Sequence, residues 1–324
     1  MASDIVTEFW KKHYLGTFIA DGGSKVKFLT GAGGAGKTSH LREYIDAAAE
    51  SGYKTVHISG KTTWLHDFKE IFVAIFNAVD FDGCIKACAG KIIAELGYSP
   101  DEIPAGVSFA DYLQAQGSFD PLTKREIRNK LSEMFFKNTW IDNNFAICSA
   151  LLVSGEIGYP TLEPAAKELL SMWLRGMKEA RVAALRKLGL SPSRITKYNA
   201  RHMLRSLIEV VMLAGHRGLA VAIDDLDILA ETSALEEIRY TKMRREDSYE
   251  SIRELIDGID TFSHLMVVFA FDKILLEDES KGLKSYQALW MRVQNEIVSD
   301  RINGFADIID LDAVNGYKEA IANE

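Results

Sequence analysis

The chain has 324 residues and a net charge of −8, with 47% hydrophobic and 26% charged residues, a balance that fits one large or two ordinary globular domains and excludes global disorder. The longest apolar run, Leu265–Phe271, is far short of a membrane span, and Met1–Trp10 lacks the apolar stretch of a leader. The acidic balance argues against a dedicated nucleic-acid coat protein, and the three cysteines (Cys84, Cys88, Cys148) cannot build a disulfide framework, so they read as buried reduced thiols of a cytoplasmic protein.

In chain order, Lys25–Thr30 predicts a strand running into a Gly-rich turn. Lys37–Glu50 carries Leu41, Tyr44, Ile45 and Ala48 at helical spacing, and Gly52 ends it. Tyr53–Ile58 predicts a second strand, and a helix follows from about Leu65 to Val79. From about 84 to 216 the chain reads as all helical, and all six prolines lie between 100 and 192. Asp120-Pro121 and Ser191-Pro192 both read as helix starts, and 162–188 as helical with few breaks. Leu219–Ile223 is a continuous apolar run, as in a buried parallel strand. A helix at about 248–260, a buried strand at Leu265–Phe271, a helix at Tyr286–Val298 and a last strand at Ala306–Leu311 complete the series. Five strands alternating with helices imply an α/β fold with a parallel sheet. The expected organisation is a core in two parts, 1–83 and 217–324, interrupted by a helical insertion over 84–216.

The strongest local signal is Gly31-Ala32-Gly33-Gly34-Ala35-Gly36-Lys37-Thr38, followed by Ser39, between a strand and a helix. It fits the phosphate-loop pattern G-x-x-x-x-G-K-[ST]. A turn that wraps a phosphate must aim successive N–H groups inward, which needs Gly-type dihedrals. The helix that follows offers further free N–H groups and its positive dipole end. Lys37 is then expected to reach β- and γ-phosphates, and the Thr38 hydroxyl to ligate Mg²⁺. A second acid is needed at the end of a neighbouring strand, and Asp224-Asp225 supplies it. Asp224 is the expected Mg²⁺ acid. Asp225 stands where many such ATPases carry a water-polarising Glu, one methylene longer; Asp227 is a spare candidate. No N/T-K-x-D and no L-S-G-G-Q motif is present, so ATP rather than GTP is expected and a transporter-type ATPase is not.

The stretch from Phe18 to Gly31 resembles the BrxD-like ATP-binding proteins of BREX and related bacterial phage-defence systems. So do Asn199-Ala-Arg201, Ala214–Leu219, Leu265–Ala270 and Gly282–Val293. The resemblance covers most of both flanks and the end of the insertion; 84–190 is unmatched. It implies a P-loop core of AAA+ type related to origin-recognition ATPases. It also implies work inside a multi-protein defence complex, as a homo- or hetero-oligomer with other defence proteins. It makes Lys37 and Thr38 the phosphate and metal residues and Asp224 the acid beside them. Arg292 falls where such proteins place an arginine finger acting on a neighbouring subunit, with Arg301 a weaker rival. The family's polar sensor after the fourth strand meets Phe271-Asp272 here, so Asp272 is only a stand-in. With about a dozen residues beyond the fifth strand, the usual C-terminal helical lid is not expected here; either the central helical insertion replaces it or the chain is a divergent or shortened member.

Residues 171–217 hold ten Lys/Arg against two acids, a net of +8 in a chain of net −8. The segment reads either as a solvated or partner-docking helical face, or as a phosphate-binding face for DNA. Leu188–Ser193 faintly resembles a helix-turn-helix connection. Lys242-Met-Arg244-Arg245 either faces a central channel or a neighbouring subunit, as this zone does in AAA+ assemblies, or is only a mobile loop, and Lys61, Thr62 and Thr63 carry no assigned role. The expected function is an ATPase that drives or gates a defence complex. The alternative is a nucleotide-gated protein- or DNA-binding module that does not hydrolyse; a small-molecule kinase is a third reading.

Overall fold

The computed structural model describes residues 5–192, 194–231, 238–294 and 303–315. It divides into two compact units, Met1–Ala78 with Arg217–Glu324, and Val79–His216.

The first unit opens with a helix that composition did not announce. Helix α1 spans Ile5–Trp10 and continues over Lys11–Phe18 in the wider i→i+5 pattern, seen in Ile19 N–H donating to the Tyr14 carbonyl at 2.9 Å. Its buried residues are spaced at Val6, Trp10, Tyr14, Leu15 and Ile19, a stripe whose 4–5 residue rhythm suits that widened turn. Strand β1 (Ser24–Gly31) follows, then α2 (Lys37–Glu50), β2 (Lys54–Ser59) and α3 (Phe68–Ala78). Helix α2 buries Leu41, Tyr44 and Ala48 on the sheet, and the Tyr44 hydroxyl donates to the Met266 carbonyl at 2.9 Å. Trp10 packs edge-on against Tyr44 at 5.8 Å, joining α1 to the same core.

The second unit is all helical: α4 (Phe81–Glu95), α5 (Phe109–Ala115), α6 (Pro121–Phe135), α7 (Asn143–Ile157), α8 (Pro164–Leu174), α9 (Val182–Arg186) and α10 (Ala200–Leu213). Side-chain caps start four of them: Asp80, Ser108, Asp120 and Asp142 each accept an N–H of the first turn. Cys84, Cys88 and Cys148 are free and buried, and burial pushes the Cys88 thiol up to about 12. Two expectations are corrected here. The run 162–188 breaks into α8 and the five-residue α9, because Gly176 takes a positive φ (67°) after α8. The helix expected from Ser191-Pro192 begins only at Ala200; turns at 187–189 and 197–199 lie before it, and among the described residues no helix starts at Ser191-Pro192.

The chain then returns to the sheet with β3 (Leu219–Asp224), α11 (Lys242–Asp257), β4 (Leu265–Asp272), the short α12 (Ile274–Glu277), α13 (Gln287–Val293) and β5 (Ile308–Asp310). All pairings are parallel, in the order β2-β3-β4-β1-β5. The fold is therefore α/β with a five-stranded parallel sheet and a large helical insertion, consistent with a P-loop, AAA+-like NTPase fold. Every residue of β3 is buried, as a strand covered on both faces requires. Gly218 sets the entry to β3. Its φ is 143°, and a Cβ there would fall 2.2 Å from the His264 carbonyl oxygen, so only glycine fits. Lys242–Arg245 is not a loop but the first turn of α11, which starts earlier than the expected 248 because Thr241 caps it. The last strand is shorter than expected, and α13 ends at Val293, with Gln294 extended, rather than at the expected Val298; Arg301 lies outside the described residues.

Candidate functional site

The parallel register fixes which residues meet. Gly31 pairs with Asp272, and Ser59 with Asp224. The carboxyl ends of β1, β2, β3 and β4 thus bring the glycine turn, a hydroxyl and two acids to one edge of the sheet, the edge where such folds hold ligands.

The turn 31–36 runs from β1 into α2. Gly34 and Gly36 hold positive φ (85° and 93°), Gly36 at the N-cap of α2. A Cβ at Gly31 would come within 2.8 Å of the Ala35 Cβ, whereas one at Gly34 would meet nothing within 4 Å. The turn is thus tight at its base and open at its tip. The Lys37 ammonium arches back over it, donating to the Gly31 and Ala32 carbonyls at 2.8 and 3.0 Å and pairing with Asp272 at 3.3 Å. The Thr38 hydroxyl donates to Asp224 Oδ2 at 2.7 Å, and Asp224 is 8% exposed. Ser39 is exposed in the first turn of α2.

Asp225 takes a left-handed conformation (φ 59°), its own N–H bonded to Asp224 Oδ1 at 2.9 Å. That kink aims its carboxylate at β2. There Ser59 donates to Oδ2 at 2.5 Å and the Lys61 ammonium pairs with Oδ1 at 3.0 Å. The Asp225 contact holds the Lys61 pKa above the usual lysine range. Asp227 instead accepts the Asp272 N–H at 3.0 Å, and burial raises its carboxyl. Arg292, on α13, donates to Asp257 Oδ1 at 2.5 Å and to the Ala288 carbonyl at 2.7 Å. Asp257 also pairs with Arg253, which grips Glu250 at 2.6 Å. The Glu250 carboxyl is held down at about 2, mainly by the Arg253 hydrogen bond.

Several partners at this edge escaped the sequence reading. Asp312, just past β5, accepts the Ala32 N–H at 3.0 Å, and Lys273 bridges Asp310 and Asp312 at 2.9 and 2.7 Å. Asn315 donates to the Ala35 carbonyl at 3.3 Å. Ser59 and Lys61 did carry a signal, being polar residues at the end of β2 and just beyond it. Asp312 and Asn315 had none, because their role depends on β5 lying beside β1.

The donors suit a hard, oxygen-loving cation held by few protein groups: one hydroxyl and one carboxylate already in contact, beside an open glycine turn. Among the described residues no three His, Cys, Asp or Glu side chains converge as a metal cluster, and Mg²⁺ sharing phosphate ligands needs none. Among the described residues no helix is long and apolar enough to cross a membrane.

Comparison with known proteins gives one family. The model of the BREX system ATP-binding protein BrxC/D family matches residues 15–315, a span that includes every residue of the candidate site. No curated protein and no solved structure matches the chain.

Proposed function

The chain belongs to the BREX system ATP-binding protein BrxC/D family, and on that premise we propose that it binds Mg²⁺-ATP at the turn 31–38 and hydrolyses it slowly to drive or gate a multi-protein, cytoplasmic phage-defence complex. The observation that carries this reading is the Thr38–Asp224 contact of 2.7 Å beside the open glycine turn. In a phosphate site a hydroxyl and an acid so placed are the pair that would hold Mg²⁺, with the turn's amides and Lys37 taking the phosphate oxygens. Mg²⁺, when bound, neutralises charge across the β- and γ-phosphates. Lys37 must first leave Asp272 and its two carbonyls, which it does only for a stronger anion. Asp225 would orient the attacking water once released from Ser59 and Lys61. Arg292 would act on a neighbouring subunit once released from Asp257.

A second reading, a nucleotide-gated module that does not hydrolyse, is favoured by one observation: both Asp225 oxygens are already engaged, by Ser59 and Lys61. Steady-state ATP turnover with Mg²⁺ separates the two. The ATPase reading expects slow turnover in the wild type that Lys37→Ala and Asp225→Asn both abolish. Equal, background-level turnover in all three, with ATP retained only by the proteins that keep Lys37, selects the module.

A further inference from the structure

Within the helical unit, residues 175–205 carry nine Lys/Arg and one acid, Glu179. The fold decides where those charges go. Ala180, Leu185, Leu190, Ile195 and Ala200 are buried, each 5% exposed or less. Ser191 N–H is tied to Asn144 Oδ1 on α7 at 2.8 Å, and Asn199 ties back to the Thr196 N–H and the Arg194 carbonyl at 2.7 and 3.1 Å. The apolar residues therefore anchor the segment at short intervals, and each interval turns cations outward: Arg181, then Arg186 and Lys187, then Arg194, then Lys197, all exposed.

Among the described residues none of these five is held in an ion pair. Elsewhere in the same unit Lys130, Lys137 and Lys167 all pair with glutamates, at 2.9, 2.9 and 2.7 Å. Exposed like charges without counter-charges act together over a Debye length of about 8 Å. A segment that carries them outward gives a local charge opposite in sign to that of the whole chain. Tyr198 is 84% exposed among them, but one open tyrosine is too little to form a stacking platform for unpaired bases.

We propose that this segment is a sequence-independent docking face for duplex DNA, gripping the phosphate backbone through Arg181, Arg186, Lys187, Arg194 and Lys197. It is independent of the nucleotide site, so Lys37→Ala is expected to bind duplex as the wild type does.

The test is anisotropy of a labelled mixed-sequence duplex, titrated with the full-length protein across a salt series. Each phosphate contact contributes roughly 0.9 to the slope of log affinity against log salt. Arg186→Ala with Lys187→Ala should therefore flatten the slope by about 2 and weaken binding on the order of thirtyfold at 0.15 M salt. Lys137→Ala, which removes a paired lysine of the same unit, should change neither, and Tyr198→Ala should leave duplex affinity intact. The proposal is overturned by absence of duplex binding at 50 mM salt, or by a double variant with unchanged slope. It is equally overturned by a Tyr198→Ala loss larger than that of the double variant, which would mean single-strand stacking, or by binding of an acidic polypeptide in place of duplex.

Discussion

Asp225 makes one residue the pivot of two opposed behaviours. Its left-handed backbone turns the carboxylate toward β2, where Ser59 and Lys61 occupy both oxygens. In the ATPase reading this contact restrains the water-orienting group. Lys61→Ala should then raise kcat several-fold while leaving ATP affinity unchanged, measured by steady-state turnover and equilibrium titration. A fall in kcat would mean that Lys61 itself serves the reaction. A second prediction at this scale concerns Lys27. Its side chain is fully buried in β1, donating to the Phe305 and Ala306 carbonyls at 2.7 Å each, with Asp307 at 3.7 Å and the Tyr14 ring at 4.8 Å. Burial lowers its pKa to about 8; attraction to Asp307 opposes that shift and repulsion from Lys25 adds to it. Below pH 8 both folded and unfolded chains hold the proton, and the fold bears the burial penalty in full. Between pH 8 and the ordinary lysine value the unfolded chain binds more protons, so stability rises with pH, by about 3 kcal/mol in all. The neutral amine still donates to both carbonyls. The melting temperature of the wild type relative to Lys27→Met should therefore climb between pH 7.5 and 9.5; a flat difference would place the Lys27 pKa at its usual value.

At the scale of elements, legibility followed how local the causes are. Strands β3 and β4 were plain, because a strand buried on both faces is a run of apolar residues with nothing else to read. The turn 31–38 was plain because its dihedral demands fall on consecutive residues. Helix α1 was missed because its buried residues do not keep the 3.6-residue rhythm. The partners of Asp225 were missed because they depend on β2 lying beside β3, a pairing across 166 positions of chain. The tie between α11 and α13 was also out of view, and it changes what Arg292 does. The seven-residue α13 is too short to hold itself, and Arg292 fastens it to Asp257, while Tyr286 donates to Glu250 at 2.6 Å. If this tie is all that Arg292 provides, Arg292→Ala loosens α13 in hydrogen exchange and leaves kcat unchanged. If Arg292 is supplied in trans, the variant keeps ATP affinity and loses kcat, and mixing it with Lys37→Ala restores part of the activity. We expect the second outcome.

The whole molecule separates two chemistries. One unit carries a parallel sheet with a glycine turn, a hydroxyl–acid pair and an ammonium at its carboxyl edge. The other carries a helical bundle whose outward cations run against the charge of the chain. Family membership is consistent with nucleotide binding in the first and leaves the second to physical argument. Everything assigned to the first unit rests on the turn 31–38 accepting a triphosphate with Mg²⁺. The most direct measurement is calorimetric titration of ATP into the purified chain, with Mg²⁺ and with EDTA. The account predicts one saturable site in the wild type, weakened by EDTA, lost in Lys37→Ala, and insensitive to Mg²⁺ in Asp224→Asn. Absence of saturable binding in the wild type, or identical binding in Lys37→Ala, would contradict it.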